Sequence, residues 1–249
     1  MTEHLLSLEA ADLTVLFVAA LMAGCTRGFT GFGTAMVYLP LAGMVLDPVS
    51  AVTTLILMDI FGPVPMVPKV LPHAHRADLL RLLAGAVLAV PLGLVALFVM
   101  NPDLFRVLVS SVSLLMLAGL LLGWRYSGAL GPRAVFGTGL VAGFLGGAVG
   151  MPGPPVIFVY MASPHPPQVI RANTTLYLLG YDIMVVVFLA LASRLDPAIA
   201  ATGLLLTLPN MLGNLVGSAL FVPEREKLYR SAAYILILSV ALAGLPIWT

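Results

Sequence analysis

The stretch at residues 23–33, AGCTRGFTGFG, interrupts an apolar segment with glycines at the point where a membrane helix would otherwise continue. A second stretch at residues 142–155, AGFLGGAVGMPGPP, interrupts the other half of the chain in the same way with glycine and proline. Matched breaks in two halves of an apolar chain are typical of transporters that bind their substrate near the bilayer midplane. The sequence therefore predicts a membrane protein built around two broken helices.

The composition supports a membrane location. Of the 249 residues, 60% are hydrophobic and 9% are charged, and the mean hydropathy is +1.07. A soluble domain would lack the polar residues needed to cover its core, so we expect an integral protein of the cell (inner or plasma) membrane, in contact with lipid. The net charge of +1 offers no basic surface for nucleic acid. The acidic residues Glu3, Glu9 and Asp12 do not fit a cleaved signal peptide, so the first hydrophobic segment is expected to remain in the mature protein.

The apolar segments fall into two length classes. About 20 helical residues cross the hydrocarbon core of a bilayer. Six segments reach that length, at residues 50–70, 79–100, 104–124, 171–192, 198–222 and 231–248. Four pieces of about a dozen residues flank the two breaks, at residues 13–24, 34–46, 134–146 and 155–163. This length predicts half-helices that meet in a hairpin inside the membrane, and strongly tilted complete crossings are the alternative.

Short matches between the halves indicate a duplicated unit. They pair residues 23–24 with 142–143, Gly31 with Gly150, residues 53–55 with 174–176, Pro91 with Pro209, and residues 117–119 with 242–244. We therefore predict an all-α polytopic fold of two repeats with five segments each, residues 1–127 and 128–249, in one membrane domain. A broken or re-entrant hairpin begins each repeat.

The basic residues predict the orientation. A repeat with an odd number of crossings inverts its copy and leaves both termini on one side. With the termini outside, only Arg106 and Arg194 lie outside, which agrees with the positive-inside rule. The basic residues then placed in the cytoplasm are Lys69, Arg76, Arg81, Arg125, Arg133, Arg225, Lys227 and Arg230. Both termini are therefore predicted to be extracytoplasmic.

The breaks offer backbone groups that bind anions. A helix that begins inside the membrane presents free N–H groups and a partial positive charge, and two such N-termini, near Thr34 and Pro155, would converge on one ligand. Glycine allows a small ligand to approach the backbone, whereas the alternative is that these glycines serve close helix packing. The positions at the breaks expected to contact the substrate are Gly31, Gly33, Thr34, Gly150 and Gly153.

Charged side chains in the apolar segments are further candidates. Arg27 lies inside the first break, where its planar guanidinium suits an oxyanion; the alternatives are contact with lipid headgroups or a pair with an acidic residue. Asp59 and Asp182 lie in the middle of their segments and are candidates for proton coupling. Each could instead be neutralised by a nearby arginine or bond to the helix backbone.

Neutral polar side chains follow each hairpin. The candidates for binding substrate oxygens are Thr53, Thr54, Asn173, Thr174 and Thr175, and the alternative is that they bond to their own helix. Asn210 and Asn214 lie one turn apart on one helix face. They either line a pore or hold helices together.

The sequences around the breaks resemble a known family. GFTGFGTAMVYLPL with the following AVTTL, and AGFLGGAVGMPGPPVIFVYM with the following ANTTLYLL, are similar to the two motifs of the TauE/SafE family of sulfite and organosulfonate exporters. The resemblance implies export of small sulfur-containing anions from the cytoplasm and singles out the glycine, threonine and asparagine positions named above. The second break reads Gly150-Met151-Pro152-Gly153 where the family has a glycine cluster, which makes this hairpin stiffer.

The expected function is secondary transport of a small anion, sulfite or an organosulfonate, through alternating access around the two hairpins. An uncoupled anion channel or facilitator is the alternative. An intramembrane aspartyl-type enzyme is not expected, because the Gly-x-Gly-Asp, G-x-S-x-G and H-E-x-x-H elements are missing. Cys25 is the single cysteine and no Cys and His cluster has metal-ligand spacing, so neither a metal nor a cofactor is expected. A homodimer is left open.

Overall fold

The computed structural model of the chain describes residues 10–123, 131–160, 163, 165–220 and 226–247, without the side chains of residues 226 and 227. All regular structure in these ranges is helical. The α-helices are α1 (Ala10–Thr30), α2 (Thr34–Ala42), α3 (Pro48–Asp59), α4 (Val67–Val70), α5 (Arg76–Val99), α6 (Pro102–Leu121), α7 (Pro132–Val149), α8 (Gly153–Tyr160), α9 (Pro167–Leu191), α10 (Pro197–Leu220) and α11 (Glu226–Gly244). The 3-10 turns Val64–Met66 and Leu71–His73 flank α4.

Proline marks where many of these helices begin. Helices α3, α6, α7, α9 and α10 each start on a proline. The first helical position suits proline, because its ring presets the backbone angle and the missing N–H would have no helical partner there. The predicted segments began up to four residues later, since they were drawn from hydrophobicity, which starts after the proline.

Seven helical segments in the described ranges are long and apolar enough to cross a membrane. They are α1, Pro48–His73, α5, α6, α7, α9 and α10, and α11 contributes a shorter apolar stretch, Leu228–Gly244. Leu88, Leu92 and Val95 on α5 are each at least 60% exposed, as expected for a face in contact with lipid. The chain is therefore an integral membrane protein. The predicted segment ends at Trp124, Val222 and Trp248, and the cytoplasmic placement of Arg125 and Arg225, lie outside the described residues.

The two arms of each hairpin differ in length. The second arms, α2 with nine residues and α8 with eight, are half-helices, as predicted. The first arms are longer than the predicted dozen residues, because α1 has 21 residues and α7 has 18. The prediction was wrong there because it ended each arm at a glycine. Glycine costs only about 1 kcal/mol inside a helix, and both helices continue through Gly24 and Gly146.

The chain divides into two compact units, and the first comprises Met1–Asp59, Met100–Gly119 and Leu195–Thr249. In this unit α10 packs along α1 and α3, and α11 packs against α1 and α2. Gly28 of α1 faces the backbone of α10, and an added Cβ would lie 2.5 Å from the carbonyl oxygen of Asn214. The two helices therefore approach each other closely through glycine, as many membrane helices do.

The second unit comprises Ile60–Val99 and Leu120–Arg194. Here α5 packs along α7 and α9, and α8 contacts the same two helices, α7 and α9. Gly147 of α7 faces α5, and an added Cβ would lie 2.5 Å from the carbonyl oxygen of Val90. Each unit thus packs the first arm of a hairpin on a long helix by glycine contacts. These two units are not the predicted repeats, residues 1–127 and 128–249, because each unit combines residues from both halves. The duplication stays a prediction.

Candidate anion site

The first hairpin turns at Gly31 and Gly33. Their φ angles are +79° and +96°, in the left-handed region that favours glycine. The Gly31 N–H donates to the carbonyl oxygen of Arg27 at 2.7 Å and closes α1. A Cβ at Gly31 would meet no described atom within 4 Å. The turn is therefore open on that side, so a ligand could approach it.

Helix α2 begins directly after this turn. Gly33 is its N-cap, and within the described residues no side-chain hydrogen bond caps this end. The first N–H groups of α2 therefore offer donor capacity and a partial positive charge. Thr34, the first residue of α2, is buried. The structure thus brings Gly31, Gly33 and Thr34 together at one turn, and their contact with substrate stays a prediction.

Arg27 and Asp59 form an ion pair in the first unit. Nη1 of Arg27 donates to Oδ1 of Asp59, and each side chain is 20% exposed. Arg27 lies in the last turn of α1, and Asp59 is the last residue of α3. Pairing with an acidic residue was one of the alternatives for Arg27. Because the guanidinium has five N–H donors and this contact uses one nitrogen, Arg27 keeps donors for an anion.

The two threonines of α3 bond to their own helix. The hydroxyl of Thr53 donates to the carbonyl oxygen of Val49 at 2.7 Å, and that of Thr54 contacts the carbonyl oxygen of Ser50 at 2.9 Å. The hydroxyl of Tyr38, on α2, donates to Thr54 Oγ1 at 2.9 Å. Bonding to their own helix was the alternative to substrate binding for these threonines. Both hydroxyls thus have hydrogen-bond partners within the protein, and their contact with substrate stays a prediction.

The second hairpin turns at residues 150–152. Gly150 has a φ of +68°, and its N–H donates to the carbonyl oxygen of Gly146 at 2.7 Å. Helix α8 begins at Gly153, two residues before the predicted start at Pro155. Among the described residues, a Cβ at Gly153 would meet only Leu178, at 3.8 Å. Backbone access is therefore open at Gly153.

Tyr181 packs against the second hairpin and was missed as a site residue. An added Cβ at Gly146 would collide with the Tyr181 ring. Within the described part of the chain, the buried hydroxyls of Tyr177 and Tyr181 have no hydrogen-bond partner. Leaving such a group unpaired costs about 1–3 kcal/mol, so water or a ligand is the expected partner. The signal in the sequence is the spacing of Tyr177 and Tyr181, one helical turn apart beside Asp182, which is also buried.

Asn173 is fully buried and holds two other segments. Its Oδ1 accepts from the N–H of His75 at 2.9 Å, and its Nδ2 donates to the carbonyl oxygen of His75 at 3.2 Å and to the Tyr160 hydroxyl at 2.9 Å. The following residues Thr174 and Thr175 are partly buried. A ligand role for Asn173 stays a prediction, and it would require these bonds to be exchanged.

Asn210 and Asn214 lie on α10 where it faces α1. An added Cβ at Gly24 would collide with the carbonyl oxygen of Asn210, and Gly28 faces Asn214 as described above. Asn210 is buried, and its Oδ1 has no hydrogen-bond partner within the described residues. Both asparagines therefore stand at a close helix interface, and the pore-lining role stays a prediction.

One set of side chains has the composition of a metal site. His75, Asp78 and His165 each offer a ligand atom, and these atoms lie within 4.8 Å of one another. No such cluster was expected from the spacing of residues in the sequence, because His165 lies far along the chain from the other two. All three belong to the second unit.

The fold and the two glycine-containing hairpins define a polytopic helical membrane protein with a charged pair at one hairpin. The family model described as "Sulfite exporter TauE/SafE" matches residues 16–244, and the chain belongs to this family of membrane transporters. A search of the curated proteins and of the solved structures found no match. The resemblance stated from the sequence is thereby confirmed.

Proposed function

We propose that this transporter exports a small anion, sulfite or an organosulfonate, across the plasma membrane, and that Arg27 and Asp59 form its charged binding element. The observation that carries the proposal is a partly exposed arginine–carboxylate pair in a hairpin whose second helix begins without a side-chain cap. The guanidinium and the free helix N-terminus both supply positive potential to an oxyanion. The substrate class is taken from the name of the family.

The lengths of α2 and α3 support a position deep in the membrane for this pair. At about 1.5 Å per residue, the nine residues of α2 extend about 14 Å and the twelve residues of α3 about 18 Å. Both helices adjoin the same connection, residues 43–47, and lead from it to the hairpin turn and to Asp59. Each distance is about half of the roughly 30 Å hydrocarbon core. If this connection lies at the membrane surface, the pair lies near the midplane.

The chemistry we propose is an exchange of partners at Arg27. An incoming anion takes the place of the Asp59 carboxylate on the guanidinium, and a proton neutralises the released carboxylate. Proton binding at Asp59 and anion binding at Arg27 then favour each other to the same extent, as linkage requires. Asp182, buried in the second unit, is kept as the second candidate for proton coupling.

We further propose alternating access, inverted repeats and extracytoplasmic termini, as the positive-inside count favours. The backbone contacts proposed for the substrate remain those at the two turns, and the Tyr181 hydroxyl is added because it is buried without a partner in the described residues. In addition to Arg27, the proposed side-chain contacts are Thr53 and Thr54 of the first unit and Asn173, Thr174 and Thr175 of the second unit. Asn210 and Asn214 are proposed as pore-lining residues.

The test is anion flux through the full chain in proteoliposomes, with sulfite, a sulfonate, sulfate and a short carboxylate compared side by side. We expect saturable sulfite flux for the wild type and for Arg171→Lys, an exposed arginine on α9 that serves as the matched control. Arg27→Lys should lower the flux at least about tenfold, because lysine lacks the planar fork of donors. No anion flux in the wild type, or equal flux in Arg27→Lys, would contradict the proposal.

A second arm of this experiment separates coupled transport from an uncoupled channel or facilitator. The flux is measured with and without an imposed proton gradient. We expect the wild type to respond to the gradient and Asp59→Asn to lose the response, because the amide that replaces the carboxylate cannot bind the proton. A wild-type flux indifferent to the gradient would instead support the channel.

A further inference from the structure

A polar cluster joins the start of α5 to the segment before α9 in the second unit. Nδ1 of His75 lies 3.1 Å from Oδ2 of Asp78, and Nε2 of His165 lies 3.0 Å from the same oxygen. Nη1 of Arg81 donates to the other oxygen, Oδ1, at 2.9 Å. Two imidazoles thus converge on one carboxylate oxygen, and the second oxygen is held by a cation.

We propose that His75, Asp78 and His165 bind a divalent transition-metal ion of the zinc type. The donors would be Nδ1 of His75, Oδ2 of Asp78 and Nε2 of His165, and water would complete the coordination. Bond lengths of about 2.0–2.1 Å place the ligand atoms of a tetrahedral zinc about 3.3 Å apart. The two nitrogen–oxygen distances, 3.1 and 3.0 Å, are close to this value, and all three ligand atoms lie within 4.8 Å of one another. Side-chain rotations that bring the two imidazole nitrogens closer together would admit the ion.

The donor set selects the class of cation. Two imidazoles and one carboxylate suit zinc, cobalt, nickel or ferrous iron, whereas magnesium and calcium prefer oxygen ligands. The side chain of Asp78 is 9% exposed, while those of His75 and His165 are 46% and 23% exposed. The carboxylate is therefore fixed inside the protein, and the histidine side remains open for entry of the ion and for a water ligand.

The surrounding residues hold the ligands as an outer shell does in metal sites. Arg81 orients the Asp78 carboxylate through Oδ1 and leaves Oδ2 to the histidines. The Asn173 amide binds both the N–H and the carbonyl oxygen of His75, and thereby fixes the backbone of that ligand. The ring of His165 is tilted against that of His75, with 4.9 Å between their centres. This preorganisation lowers the cost of bringing the three donors together.

The net charge of the cluster with a bound ion can be tolerated because the site is open to solvent. Asp78 and Arg81 neutralise each other, and histidines bind a metal in their neutral form, so the cluster with a divalent ion bound would carry two positive charges. The exposed side of His75 allows water and counter-ions to screen them. A bound ion would join positions 87 residues apart in the chain and stabilise the second unit by a free energy that grows with the logarithm of its affinity and concentration.

The experiment uses the full chain, purified without a histidine tag, and titrates it with Co²⁺ as a coloured probe that Zn²⁺ then displaces. We expect one Co²⁺ per chain and a rise in unfolding temperature with Zn²⁺. His75→Ala should weaken binding at least about tenfold, because a ligand is lost. His73→Ala is the matched control, since His73 is exposed in the same segment and lies outside the cluster, and it should bind as the wild type does.

His165→Gln guards against simple misfolding. Glutamine can still donate a hydrogen bond to Asp78 but replaces the imidazole ligand, so this variant should unfold near the wild-type temperature without metal and lose the Zn²⁺-dependent rise. Absence of stoichiometric Co²⁺ binding in the wild type would overturn the proposal. Binding equal to wild type in both His75→Ala and His165→Gln would do the same.

Discussion

The two hairpins have similar backbone conformations at their turns but carry different side chains. Each turns on glycine with positive φ, at Gly31 in the first and Gly150 in the second. If these glycines are aligned, Gly146 takes the place of Arg27. In the first hairpin the arginine pairs with Asp59, whereas in the second the ring of Tyr181 packs against Gly146. The break in the helix is therefore common to both, and among the residues described at the two turns the charged pair stands at the first.

The largest effect should appear when the first hairpin loses its arginine. Arg27→Gln should reduce sulfite flux in proteoliposomes at least about a hundredfold, or about 2.7 kcal/mol, because no cation remains to bind the anion. Arg171→Gln is the control and should leave the flux unchanged. A flux within threefold of wild type in Arg27→Gln would show that the arginine of the first hairpin is not needed for anion transport.

The close glycine contacts of the first arms, which both hairpins have, should be equally sensitive to an added methyl group. Gly28→Ala and Gly147→Ala each place a Cβ 2.5 Å from a backbone oxygen of the facing helix, so each should lower the free energy of unfolding by about 1–3 kcal/mol. Denaturant unfolding in detergent measures this. Gly137→Ala is the control because a Cβ there would meet no described atom within 4 Å. Equal stability of Gly28→Ala and Gly137→Ala would show that the first hairpin does not pack as the second does.

The turn of the first hairpin should show a smaller effect that depends on the residue introduced. Gly31→Ala should cost about 1–2 kcal/mol, since the φ of +79° strains an L-residue although space is open. Gly31→Asn should cost less, because asparagine adopts this region more readily. Unfolding of both variants under the same conditions compares them, and a greater loss in Gly31→Asn would contradict the assignment of strain.

The smallest effect is expected in the second hairpin. Tyr181→Phe removes a buried hydroxyl that lacks a partner in the described residues, so stability should change by less than about 1 kcal/mol or rise slightly. Sulfite affinity should fall about threefold if the hydroxyl binds the anion, as proposed. Binding titrations measure the affinity, and a large loss of stability would show instead that the hydroxyl has a structural partner.

Much of the fold could be predicted because hydrophobic length and proline leave strong signals. The long helices α5, α6, α9 and α10 and the half-helices α2 and α8 follow from them, and the glycine turns were located correctly. The predicted segment 50–70 is a single α-helix only as far as Asp59, and the apolar stretch of the last segment is shorter than predicted. The true length of α1 could not be read from Gly24, because a glycine that ends a helix and a glycine that packs a helix are alike in sequence. The structure shows that Gly24 is a packing glycine, because the backbone of Asn210 on α10 lies directly against it.

The candidate site was predicted less completely, because partners remote in sequence decide it. Arg27 and Asp59 were each identified, but their pairing depends on how α1 and α3 pack. Tyr181 was not among the predicted site residues, because its contact with Gly146 depends on how α7 and α9 pack. His165 contacts Asp78 across 87 positions of the chain, and no local spacing carries that information.

The most direct test of the exchange at Arg27 is the sulfite affinity of Asp59→Asn, measured by binding titration on the purified chain at neutral pH. Asp103→Asn, at an exposed aspartate on α6, is the comparison. If sulfite displaces the carboxylate from Arg27, neutralising Asp59 removes the competitor. We expect at least about tenfold tighter binding for Asp59→Asn, or about 1.4 kcal/mol, and wild-type affinity for Asp103→Asn. Unchanged or weaker sulfite binding by a folded Asp59→Asn protein would contradict the proposed exchange.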